Sequence, residues 1–336
     1  MRTEQLTTRP TVMRNNELFV QLAKLLMKRF ERIPVSPEQQ VGRLGEVFRH
    51  SSFLNGTEAE RERIMRASST FFYEDELAYP WDNYFGQELE PMLRGSDVLD
   101  VGCFTGGRDA AWFQRYKLRS LTGLEIRPVC VEAATRFAAS KGIQAEYLVG
   151  LAESMPFEDG RFDAIMTFET LEHIQDPAKV LAECHRVLKP NGRLFLVFPS
   201  YFHPTSHHLG LVTNLPAIQW LFTGETLVKA YYDILEERGL TANWYNRQSR
   251  DLESWERGNT INGTTVHQFA RLVAGDDWRV VLRSRKPIGS VGRGISKSRS
   301  ARLLSKLFIP MTAVPVLQEM FVHRITYILE KKGARR

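Results

Sequence analysis

Residues 98–107 read VLDVGCFTGG, and this stretch decides the fold. An apolar run closes on Asp100, the chain turns at Gly102, and Gly106 and Gly107 open the helical pattern GGRDAAWFQRYK. Glycine lets the backbone turn tightly and approach a ligand closely. The free N–H groups at the start of a helix attract an anionic group. The spacing is G-x-x-x-G-G, which matches neither the G-x-G-x-x-G dinucleotide fingerprint nor the phosphate loop with its Gly-Lys-Ser/Thr ending. A carboxylate placed just before the turn suits an ammonium or hydroxyl group better than a pyrophosphate.

Working outward, short apolar runs alternate with helical patterns. DVLDV (97–101), SLTGLEI (120–126), QAEYLVG (144–150), FDAIMTF (162–168) and RLFLVFP (193–199) read as strands. CVEAATRFAASKG, ending on Gly142, and DPAKVLAECHRVL, ending at the stop signal KPNG, read as helices between them. Nearly continuous apolar strands separated by helices indicate a parallel sheet covered on both faces. WRVVLRSR (278–285) and HRITYILEK (323–331) read as two further strands that complete one edge.

On these residues, 98–199 resembles the class I S-adenosylmethionine-dependent methyltransferases. Asp100, Gly102 and Gly106 match the outer positions of the first motif of that family, D-x-G-x-G-x-G, and Phe104 stands where the middle glycine would be. Glu125 ends the second strand, 25 residues after Asp100, where the family places an acid on the ribose hydroxyls. GLAESMPFEDGRFD (150–163), with Ala152 and Glu153, resembles the segment that flanks the adenine, and Phe168 at the end of strand four completes the cofactor set. The resemblance implies a Rossmann-like, doubly wound α/β fold with a mostly parallel seven-stranded sheet and an antiparallel edge strand. N-terminal helices and a helical, aromatic insertion after strand five are added to it. S-adenosyl-L-methionine is the implied cofactor.

Transfer of a sulfonium methyl group leaves the protein to bind, orient and exclude water. His173 follows strand four and is the first choice for a general base, since a histidine titrates near neutrality; His207 is a second. A histidine in either place can also cap or pack a neighbouring helix. Glu169, Glu172 and His173 form E-x-x-E-H, which is shared with ubiquinone-type O-methyltransferases and with small-RNA 2′-O-methyltransferases, where it can help to bind a divalent cation. A metal is not expected here; those three residues are the alternative set, with His203, His207 or His208 as a possible further ligand. Trp220, Phe222, Tyr231 and Tyr232 could line a pocket or lid, although such a stripe more often belongs to a core.

The chain has 336 residues, 43% of them hydrophobic and 25% charged, which is ordinary globular composition and argues against a disordered or fibrous protein. Cys103, Cys130 and Cys184 are too scattered for a disulfide framework or a cysteine-rich zinc module, so a reducing compartment is expected. The first residues have no apolar signal core and no stretch is apolar enough to span a membrane, so a cytoplasmic protein is expected. The expected division is an N-terminal helical extension (1–75), a cofactor-binding core (76–200), a substrate-side insertion (201–277), and the last strands with a basic C-terminal region (278–336). From Arg279 onward, 14 Lys and Arg face two acids, Glu319 and Glu330, leaving +12 there and −6 on the remainder. Within 16–32, Leu18, Phe19, Leu22, Leu25, Leu26 and Phe30 have helical spacing among basic residues, an amphipathic helix that packs on its own domain or lies on a membrane or partner. The leading expectation is O- or N-methylation of a small-molecule or glycan-like acceptor. An RNA methyltransferase using the basic region, a non-catalytic binding protein on the same fold, and an enzyme in peripheral membrane contact are the alternatives. Oligomeric state is not specified by any of these features.

Overall fold

The computed structural model describes residues 17–31, 56–210, 212–238, 262–291 and 299–333. The readings that fall between 32 and 55, within 239–261 of the insertion, and on 292–298 and 334–336 of the basic region lie outside the described residues. Among the described residues, two helices of more than one turn precede the sheet. The first, α1 (Glu17–Arg29), buries Val20, Ala23 and Met27. The second, α2 (Glu58–Ala78), starts at a capping box: the Thr57 side chain accepts from the Glu60 backbone N–H, and Glu60 accepts from the Thr57 N–H. It runs unbroken through the expected boundary at 75/76. Two one-turn helices, α3 (Asp82–Phe85) and α4 (Glu90–Leu93), lead into the sheet.

The alternation then follows the sequence pattern: β1 (Asp97–Val101), α5 (Gly107–Arg115), β2 (Ser120–Glu125), α6 (Pro128–Ser140), β3 (Glu146–Val149), β4 (Phe162–Phe168), α7 (Pro177–Val187) and β5 (Leu188–Phe198). α6 and α7 both carry proline in the first turn, and the Asp176 side chain caps α7 by accepting from the Lys179 N–H. The KPNG stretch bulges out within β5: Phe162 pairs with Leu188 and Ala164 already with Arg193. Asn191 takes a positive φ of 63° there, which an asparagine tolerates. After the insertion helix α8 (Gly224–Glu237) come α9 (Val266–Leu272), β6 (Trp278–Ser284), α10 (Arg299–Ser305), α11 (Pro315–Phe321) and β7 (Ile325–Lys331). Among the described residues no helix is long and apolar enough to cross a membrane.

The seven strands are ordered β3-β2-β1-β4-β5-β7-β6. All pairings from β3 to β5 are parallel, and β7 inserts antiparallel between β5 and β6. The strand order reverses between β1 and β2 on one side and β4 on the other, so the crevice above their carboxyl ends is where a ligand belongs. One face of the sheet is sealed by α7 and α9 through Val180, Leu181, Cys184 and Phe269. The other is sealed by α5 together with Trp81, Phe85, Leu89 and Leu93. α2 lies outside α5 and α6. α1 packs on α8 in a separate apolar cluster that takes in Phe222, Tyr231 and Tyr232, so these three aromatics are core, while Trp220 is half-exposed and donates to the Phe202 carbonyl at 2.9 Å. The three cysteines are buried and free.

Candidate active site

The reversal point opens into a cavity of about 880 Å³. Its floor is the turn that follows β1. Gly102 has φ +84°, and a Cβ there would fall inside the van der Waals shell of the Thr170 side chain. Gly106 has φ +68°, and a Cβ there would meet the Ala134 Cβ at 2.8 Å. Both glycines are therefore required by backbone conformation and by space. The turn is held from outside by α2: the Ser69 hydroxyl donates to the Thr105 carbonyl at 2.8 Å, and the Ser68 and Thr105 hydroxyls lie 3.2 Å apart.

Phe104, at φ +51°, adopts the left-handed conformation that the missing glycine would take without strain. Its ring packs edge-on against Phe72 of α2 at 6.1 Å, and the Arg127 guanidinium lies 5.0 Å from the ring centroid. The phenyl group is thereby built into a wall of the cavity together with Phe72. Asp100 is buried at the end of β1, and its carboxyl is pushed well above the ordinary range, first by burial and then by the neighbouring Asp109. Arg108, on the first turn of α5, stacks over Phe72 at 4.4 Å and over Trp81 at 5.1 Å, and it lines the same cavity. Glu125 is buried at the end of β2, where its Oε1 accepts from the Arg127 backbone N–H at 3.1 Å and from its Nε at 2.7 Å. Both bonds fall on one oxygen, which leaves Oε2 available to a hydroxyl. Ala152 and Glu153 lie on the wall beyond, and the Glu153 carboxylate accepts from the Gln175 N–H at 3.2 Å. Phe168 reaches the cavity from a core position, stacked on Trp81 at 4.9 Å and edge-on to Trp112 at 5.1 Å. Of the predicted cofactor set, all but Gly106 line this cavity, and Gly106 lies in the turn between Thr105 and Gly107, which do.

The opposite half of the cavity is lined by Glu172, His173, Thr205, His207 and His208. His173 is half-exposed, its Nε2 lies 3.8 Å from Glu172 Oε1, and its ring is 4.8 Å from that of His208. Glu172 is buried, and neither carboxylate oxygen has a hydrogen-bond partner among the described residues. Burial, and after it the nearby Glu169, push its carboxyl well up. His207 is placed differently from expectation. Its Nδ1 accepts the Leu209 N–H at 3.0 Å, burial lowers its pKa to about 4, and the Leu215 carbonyl is the group that favours its proton. The ring thus ties Leu209 and Leu215, whereas His173 is half-exposed on the cavity wall.

The expected metal alternative is also redrawn. Glu169 turns away at φ +54°, and its carboxylate accepts from Arg324 Nε at 2.7 Å and Nη2 at 3.4 Å. His208 takes its place: one ligand atom each from Glu172, His173 and His208 lie within 4.8 Å of one another. A buried carboxylate without a partner beside two imidazoles is a donor set that fits a divalent cation. His208 was one of the three histidines read as a possible further ligand, whereas Arg108, Thr170 and Arg324 were not singled out by sequence. Only Arg108 had a sequence signal, a cation in the first turn after the glycines.

Residues 99–196 match the family model described as a methyltransferase domain. The ubiquinone biosynthesis O-methyltransferase of Pseudomonas paraeruginosa is 39% identical over 105 residues, which cover 31% of this chain and 44% of that protein. The protein of the same name from Xanthomonas axonopodis pv. citri is 37% identical over 114 residues, covering 34% of this chain and 46% of its own. The chain spans less than half the length of these curated relatives. A crystal structure of a SAM-dependent methyltransferase from Methanosarcina mazei is 20% identical, with a TM-score of 0.42 over 73% of this chain and 96% of the other. With the strand order and the glycine turn, the matched segment defines a class I S-adenosylmethionine-dependent methyltransferase domain.

Proposed function

We propose that the protein methylates an oxygen or nitrogen of a small-molecule or glycan-like acceptor, with S-adenosyl-L-methionine as donor. The observation that carries this reading is the single cavity running from Asp100 and Glu125 to His173. Its volume falls in the upper part of the roughly 300–1,000 Å³ typical of ligand sites, so donor and acceptor fit together. When bound, the donor supplies a sulfonium methyl that is already electrophilic. Asp100 receives the amino-acid ammonium, whose positive charge restores the ionised carboxylate that burial disfavours. Arg108 faces the carboxylate of the same end, and Glu125 Oε2 accepts from ribose hydroxyls. Phe72, Phe104 and Phe168 exclude water from the site. His173 takes the proton of the acceptor, and the imidazolium so formed lies beside Glu172, where the two charges offset each other's burial.

A second reading rests on Glu172 alone. With His173 and His208 it would hold a divalent cation, which would lower the pKa of an acceptor hydroxyl by direct coordination. His173 cannot then be both ligand and free base, so the two readings separate cleanly.

Calorimetry should show donor binding by the wild type and its loss in Asp100→Ala. Methyl-labelled donor with a panel of hydroxylated acceptors should then give turnover that collapses in His173→Ala while donor affinity stays. Absence of donor binding by folded wild type would remove the enzymatic reading. Turnover abolished by chelator and restored by Mg²⁺ or Mn²⁺ would replace the free base with the cation.

A further inference from the structure

Residues 303–321, ahead of β7, turn apolar side chains outward although their backbone is well tied down. Leu303, Leu307 and Val316 are 66%, 67% and 75% exposed, and Leu304, Ile309 and Val314 are exposed as well. An unstructured tail would explain such exposure cheaply, but this segment is anchored. Glu319 accepts from the Ser200 hydroxyl at 3.0 Å, from the Val266 N–H at 2.7 Å and from the His267 N–H at 2.8 Å. Phe308 stacks on Phe321 at 5.2 Å, and the Phe321 carbonyl accepts from the Ile288 N–H at 2.8 Å. Single exposed apolar residues are normal, whereas six in fourteen residues on an ordered segment mark a contact surface.

What covers this surface is indicated by charge. Between 293 and 306 the sequence carries five Lys and Arg and no acid, interleaved with Leu303 and Leu304 and followed at once by Leu307. A second copy meeting this face across a two-fold axis would bring like charge against like charge. Prolines 310 and 315 break the segment into short helices, α10 and α11, that cannot span a bilayer but can lie in its interface. Glu319 bonds just past the end of β5, so the segment sits at the same end of the sheet as the cavity mouth.

We propose that this face docks on an anionic lipid bilayer, with Leu303, Leu304, Leu307, Ile309 and Val316 entering the interface and the exposed Lys306 among them meeting lipid phosphates. The surface extends beyond the methyl-transfer reading and does not depend on it. Flotation of the full chain with phosphatidylcholine vesicles, with and without phosphatidylglycerol, tests the idea. Binding is expected only to the anionic vesicles, weakening as salt is raised. The triple variant Leu303→Ser, Leu307→Ser, Val316→Ser should lower the partition coefficient by at least about tenfold, with an unchanged melting temperature because these side chains are exposed. Lys306→Glu should lower it by a smaller, salt-sensitive factor. No partition of wild type into anionic vesicles would overturn the proposal. So would equal partition of the triple variant, or a wild-type dimer that the variant converts to monomer without any vesicle binding.

Discussion

Glu76 carries a pH dependence that can be worked out in advance. It sits near the end of α2, 1% exposed, with Oε1 accepting from the Trp81 N–H at 3.0 Å and the Trp112 indole close by. Burial raises its pKa to about 8 from an ordinary 4.5, against the opposing pull of the Trp81 N–H and the Arg108 charge. Below 4.5 both folded and unfolded chains hold the proton. Between 4.5 and about 8 the unfolded chain ionises while the folded one does not, so stability is lost as pH rises through that window and levels off above it. At about 1.4 kcal/mol per pH unit, the full loss is on the order of 5 kcal/mol. Glu76→Gln keeps the acceptor for Trp81 and removes the titration, at a cost of about 1–3 kcal/mol for an amide N–H left unpartnered. Urea unfolding of both proteins at pH 5 and pH 8.5 is the assay. Wild type should be the more stable at pH 5, and the variant at pH 8.5. With an m-value of roughly 3 kcal/mol/M, the relative midpoints should move by about 1 M or more. A midpoint difference that is the same at both pH values would refute the reasoning.

Two further outcomes follow from the cavity floor and its support. Gly102→Ala forces a Cβ at φ +84° into the Thr170 side chain; it should cost about 2–4 kcal/mol of stability and abolish donor binding by calorimetry, and a variant that binds normally would contradict the steric account. Arg324→Met strands the Glu169 carboxylate and should cost about 2 kcal/mol, less than a fully buried pair because both groups keep some solvent; Glu169→Gln in the same chain should recover most of it, and failure to recover would show that the Arg324 side chain matters for packing instead.

The alternation of strand and helix from Asp97 to Phe198 was legible because each apolar run ends at a glycine, a proline or a cap, which are local signals. The grouping of Asp100, Gly102, Gly106 and Glu125 was legible for the same reason: they lie at or just beyond the carboxyl ends of two adjacent parallel strands. The acceptor half was not. His173 and His208 meet only because the 205–215 loop folds back over the end of β4, and Glu169 leaves the cluster because Arg324, 155 residues later, arrives on β7. No local pattern reports either event. KPNG stops the helix at Val187 as read, but the same run also bulges within β5, which therefore starts at Leu188 rather than Arg193. The aromatics of α8 were ambiguous because an apolar face looks the same in sequence whether a ligand or a neighbouring helix covers it.

The two serines of α2 that grip Thr105 carry a consequence for inheritance. The stretch that can be matched to other methyltransferases begins at residue 99, yet the backbone of its first loop is held from residues 68 and 69, and one wall of its cavity is Phe72. A gene fragment cut at the recognisable boundary would deliver the strands without the splint that sets the loop. The unit that can be transplanted between proteins with its pocket intact is therefore longer than the unit that similarity detects, and it starts at the Thr57 cap.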